Sequence, residues 1–218
     1  MRTPPRHHHL VRVELAASAV LVGLAGAWSA LRGFDLLAAV DPSPRALAVG
    51  AVAGLTLAAT LPLVTAPWAK RMLVLRGLRR AWDWLESGLG PSLGVPEVVV
   101  LALCSAVSEE IFFRGVLQRE VGIVAASAVF GLLHPLGWAY VVWAGTVGAG
   151  LGLLFVATGS LAAPAAAHGV YNLVALVYLR RRSTNLTAME ASSSVRPHAS
   201  LRRWSAARRA RGARRLRG

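Results

Sequence analysis

Residues 96–118 read PEVVVLALCSAVSEEIFFRGVLQ. Ten uncharged residues from Val98 to Val107 lead into two adjacent glutamates, Glu109 and Glu110, and an arginine follows at Arg114. The stretch has the length and apolarity of a membrane span, which needs about 20 residues to cross the hydrocarbon core. A charge at bilayer depth costs on the order of 3 kcal/mol, so ionisable groups kept there mark sites with a function. Two further apolar segments carry one histidine each, His134 in FGLLHP (130–135) and His168 in AAHGVYN (166–172). A glutamate pair and two histidines on three hydrophobic segments predict a polar chemical site inside a membrane bundle.

The rest of the chain supports an all-α, multi-pass transmembrane bundle. Apolar runs recur at 10–31, 46–67, 96–118, 121–134, 138–158 and 160–179, giving about six spans, with 121–134 short for one. Of the 218 residues, 55% are hydrophobic but only 7% aromatic, so the apolarity comes from Ala, Val and Leu. Arg2, Arg6 and Arg12 before the first run suit a signal peptide, yet Glu14 and the spans that follow favour a retained first helix. The His7–His9 triplet before that helix reads as incidental. With one cysteine, Cys104, no intrachain disulfide forms, and Cys104 reads as a small buried hydrophobe.

Charge is distributed unevenly. The formal net charge is +14, and residues 180–218 hold twelve arginines against one acid, Glu190. A polybasic segment after a last span indicates the cytoplasmic side and anionic lipid as a partner; the plainer reading is a disordered tail that only sets topology. Nucleic acid is not expected, because no aromatic interleaving or folded motif accompanies the arginines. Between the second and third spans, AKRMLVLRGLRRAWDWLESGLG (69–90) alternates Lys70, Arg71, Arg76, Arg79 and Arg80 with leucines and Trp82 and Trp84. It reads as an amphipathic helix in the headgroup layer, or else as a basic loop. Positive charge on this loop and on the tail fits a cell-membrane protein with both termini cytoplasmic.

The polar residues have informative spacing. Glu110 and Arg114 are four apart and share a helix face, so they can pair, whereas Glu109 is rotated by about 100° and faces elsewhere. Phe130 and His134 share a face, as do His168 and Asn172. His168 and Asn172 can aim N–H donors at one point and stabilise an oxyanion. Glu109 facing that point can take a proton from water, and His134 can orient the water or shuttle the proton.

These residues fit three motifs in order: EExxxR in SEEIFFRGVLQ, FxxxH in FGLLH and HxxxN in HGVYN. The approach TGSLAAPAAAHGVYN is similar as well. Residues 96–179 resemble the CAAX-protease and bacteriocin-processing (Abi, CPBP) family of intramembrane proteases. The resemblance divides the chain into N-terminal spans with the basic loop (1–95), a protease-like core (96–179) and the Arg-rich tail (180–218). It implies hydrolysis of a peptide bond in a membrane-anchored protein or peptide. Glu109 would be the general base and His134 the water-positioning group. His168 and Asn172 would form the oxyanion hole, and Glu110 and Arg114 would orient and neutralise the site. No cofactor is expected; zinc on Glu109, His134 and His168 is the variant of the same reading, although the HExxH signature is absent. Two other classes compete, a non-catalytic immunity or scaffold protein that binds a peptide and a small transporter or proton channel. The intact residue set favours the enzyme over the first. The short chain without an inverted repeat counts against the second.

Overall fold

The chain's computed structural model describes residues 7–90 and 93–185, and all regular structure among them is helical. The elements are α1 His7–Arg32, α2 Pro44–Ala58, α3 Leu61–Thr65, a 3-10 turn Pro67–Arg71, α4 Leu73–Gly88, α5 Val95–Phe112, a π-helical turn Phe113–Leu117, α6 Gln118–Leu132 and α7 Trp138–Thr158. A last helix, α8, runs over Ala162–Asn185. The residues beyond it, which include most of the Arg-rich tail and its lipid assignment, lie outside the described residues. The tail's first six residues instead continue α8.

The fold is a multi-pass helical bundle. Among the described residues, four helical segments are long and apolar enough to cross a membrane: α1 from His9, α2 with α3, α7, and α8. The expected six reduce to four on this measure for two physical reasons. Helix α5 carries Glu97, Glu109 and Glu110 in 18 residues, and α6 has only 15 residues. Apolar side chains such as Val20, Leu24, Val52, Val142 and Val156 face outward, whereas Glu110 and Arg114 are buried. That polarity suits a lipid-facing surface.

Local sequence sets the breaks. Ser43 caps α2 by accepting from the Ala46 amide, with Pro44 at the first helical position. Gly159, in the left-handed region, ends α7. Gly122, at φ 79° and ψ 170°, interrupts the helix between Val121 and Ile123, a conformation that only glycine adopts without strain. Pro135 disfavours helical backbone at His134, which lies just past the end of α6.

Small residues bring the helices together. Ala46, Gly50, Gly54 and Ala58 are buried at four-residue intervals on α2. A Cβ on Gly50 or Gly54 would collide with the carbonyl of Ala163 or Ala167 on α8. Close approach through such a seam is how helices associate where lipid offers no hydrophobic driving force. Gly131 of α6 meets the Val141 carbonyl and the Gly145 backbone of α7 in the same way.

Helix α1 runs alongside α5 in the same direction. Ser18 and Ser108 hydroxyls lie 3.0 Å apart, and Arg32 meets Glu120 at 2.7 Å. At the opposite end from that ion pair, Arg182 of α8 meets Glu86 of α4 at 3.2 Å. The start of α1, α4, the start of α5 and the arginines of α8 therefore share one end of the bundle. Helix α4 is amphipathic as expected, with Arg76, Arg80 and Trp84 outward. Two of its headgroup candidates are instead core residues. Arg79 is buried, bound to Asp83 and to the Thr65 carbonyl, and Trp82 packs 5.7 Å from Tyr178. Cys104 is only partly buried.

Candidate active site

The helix that starts at Val95 continues through the π turn to Val121, which puts Glu109 and Glu110 near its middle. Beyond Gly122, the ten residues of α6 to Leu132 return only about 15 Å at 1.5 Å per residue. On a simple six-span count, Glu109 and His134 belong to distant ends of their helices. The short α6 removes that conflict by delivering His134 at the depth of α5's centre.

Glu109, His134, His168 and Asn172 line one cavity of about 420 Å³, together with Ser105, Tyr140 and Trp143. Its apolar walls include Leu85 and Leu89 near the end of α4 and Leu176 and Leu179 of α8, so it extends toward the end of the bundle that holds α4. Glu109 Oε2 is buried without a hydrogen-bond partner.

Glu110 is fully buried beneath this cavity. Its Oε1 accepts from Arg114 Nη1 at 3.0 Å and lies 2.9 Å from His168 Nδ1. Its Oε2 has no partner. Arg114 also donates through Nη2 to the Gly148 carbonyl of α7 at 2.8 Å. One turn on, Gln118 donates to the Gly152 carbonyl at 3.2 Å. The guanidinium lies 4.8 Å from the Phe130 ring centroid, a cation–π contact. That ring also sits 4.6 Å from His134 and 6.0 Å from His168. Phe130 is thus the packing hub that joins the three motifs, beyond its place on the face of His134.

Hydrogen-bond chemistry assigns the ring protons. The Phe130 carbonyl, 2.7 Å from His134 Nδ1, can only accept; Nδ1 therefore carries a hydrogen, and Nε2 of the neutral ring is an acceptor. The same argument puts a hydrogen on His168 Nδ1, facing the Glu110 carboxylate. His168 offers a second donor at Nε2 only as the imidazolium, for which Glu110 supplies the counter-charge. Asn172 Nδ2 donates to Ser105 Oγ at 3.1 Å, which orients the amide and leaves its second N–H.

All six residues singled out from the sequence meet here, four on the cavity wall and Glu110 and Arg114 in the support behind it. The sequence reading missed Ser105, Gln118 and the Glu110–His168 bond. Ser105 and Gln118 had a signal: each lies four residues from a motif residue, Glu109 or Arg114. Among the described residues, no three His, Cys, Asp or Glu side chains come together as a group that could hold a metal ion.

Fold and site together define a multi-pass membrane protein with an acid, two histidines and an amide around one cavity within the bundle. Residues 91–174 match the family model described as type II CAAX prenyl endopeptidase Rce1-like. The uncharacterized protein YpbD of Bacillus subtilis (strain 168) is 34% identical over 89 residues. That alignment covers 39% of this chain and 47% of YpbD, so the chain spans about half the length of the curated relative it matches. No solved structure matches the chain.

Proposed function

We propose that the protein is an intramembrane endopeptidase that hydrolyses a peptide bond of a membrane-anchored protein or peptide. The observation that carries this reading is the convergence of three separate motifs on one cavity, with Glu109 Oε2 buried and unpartnered in its wall. Water in the cavity gives a proton to Glu109 as it attacks the scissile carbonyl, and His134 Nε2 accepts a second hydrogen bond that aims the water. His168 Nε2–H and the remaining Asn172 N–H receive the developing oxyanion. Glu110, itself held by Arg114, keeps His168 in place and supplies its counter-charge. Glu109 then returns the proton to the leaving amine.

The test is reconstitution in liposomes with a library of membrane-anchored peptides, read by mass spectrometry. A new peptide C-terminus produced by the protein supports the reading. Solute or proton flux without any cleavage would overturn it in favour of transport.

A further inference from the structure

The cavity has a second carboxylate, which none of the three motifs contains. Glu14, on α1 and outside the family-matched stretch, lines the same wall as Glu109. Its position follows from how α1 docks. Ser18 lies against Ser108, the residue preceding Glu109. Ser18 also donates to Glu14 Oε1 at 3.0 Å, and one helical turn carries the carboxylate along the same face.

Acids outnumber cations on the cavity wall. Among the described residues its lining holds Glu14 and Glu109, two histidines, of which His168 is paired with Glu110, and no lysine or arginine. Arg114 is engaged with Glu110 and the Gly148 carbonyl behind the wall. Glu110 is thus compensated, whereas Glu14 has only a hydroxyl donor and Glu109 Oε2 has no partner. Low-dielectric walls lined by one sign of charge focus the field on whatever enters. An ionisable residue kept in a membrane-spanning helix marks a functional position by default.

We propose that Glu14, fixed by Ser18, forms a substrate subsite that takes a lysine or arginine side chain flanking the scissile bond. The inference rests on the protease reading and adds a determinant to it, since the chemistry needs only Glu109, His134, His168 and Asn172. Glu14 acts as a specificity residue that sets which peptides lie productively beside Glu109.

The experiment uses the full chain in liposomes and three membrane-anchored peptides that differ only beside the bond, carrying Lys, Gln or Glu. Hydrolysis and binding are both measured, for wild type, Glu14→Gln and Glu14→Lys. Glu14→Gln keeps an acceptor for Ser18. Wild type should favour the Lys over the Gln peptide roughly tenfold or more, as expected for a partly desolvated charge pair, mainly through KM. In Glu14→Gln the ratio should fall to about one, and in Glu14→Lys the Glu peptide should be preferred. Equal losses on all three peptides would make Glu14 a structural residue of the α1–α5 contact and overturn the proposal. So would an unchanged Lys preference in Glu14→Gln. If wild type cleaves no peptide, the binding ratios still decide the subsite, while the protease reading fails separately.

Discussion

His168 on α8 hydrogen-bonds through Nδ1 to Oε1 of Glu110 on α5, at 2.9 Å and across 58 residues of chain. The same oxygen receives Arg114. One buried carboxylate therefore anchors a histidine from one motif and an arginine from its own. Adjacent glutamates acquire different characters: Glu110 takes both bonds on Oε1, and Glu109 is left for the cavity.

This division predicts different thermal behaviour. Glu110→Gln removes the countercharge of a buried arginine, and breaking such a pair costs about 3–5 kcal/mol. Glu109→Gln breaks no bond to a partner and should leave unfolding in detergent unchanged while abolishing hydrolysis. Thermal unfolding of the two variants measures the difference. Equal destabilisation by both would contradict the assignment.

Arg114→Lys should behave as a loss rather than a conservative change. A lysine reaches Glu110 but lacks the planar fork that also engages the Gly148 carbonyl and the Phe130 ring. The variant should unfold at lower temperature and lose most of its activity, as followed by unfolding and cleavage together. Wild-type stability in Arg114→Lys would show that the α7 contact is dispensable.

Phe130 offers a test of the packing hub. Phe130→Ala should cost about 3–5 kcal/mol through the cavity it leaves. Phe130→Leu should cost less yet still lower kcat, because both histidine rings and the guanidinium lean on the aromatic face. Full activity in Phe130→Leu would show that the ring only fills space.

Much of this arrangement was readable in the sequence because it depends on local periodicity. Glu110 and Arg114 are four apart, His168 and Asn172 are four apart, and the apolar runs mark the helices. What was not readable depends on how helices meet. The His168–Glu110 bond crosses two helices with no spacing rule between them. The depth of His134 follows from the break at Gly122, whose backbone conformation a glycine permits but does not announce. Arg79 and Trp82 looked like headgroup residues because a basic amphipathic pattern does not say which of its members turn inward. The count of about six spans rests on apolar runs; four described helices qualify by length and composition, since α5 carries three acids and α6 has 15 residues.

The α2–α8 seam gives a prediction remote from the chemistry. Gly54→Leu drives a side chain into the Ala167 backbone, one residue before His168. Overpacking of this kind costs about 1–3 kcal/mol or more, and it should also displace His168 and reduce cleavage. Gly23→Leu on α1, where a Cβ meets nothing within 4 Å, is the matched control. Similar unfolding temperatures for the two variants would argue against the seam.

Metal removal tests the glutamate mechanism. Among the described residues no three His, Cys, Asp or Glu side chains gather as a metal-holding group, and the glutamate mechanism predicts that hydrolysis continues in the presence of a zinc-specific chelator. Activity lost on chelation and restored by zinc would contradict the mechanism.

The most direct measurement compares wild type, Glu109→Ala and His168→Ala on membrane-anchored peptides in liposomes, with folding of each protein checked in parallel. The account predicts cleavage by wild type alone, with all three proteins folded. Cleavage unaffected by either substitution would contradict the roles given to Glu109 and His168.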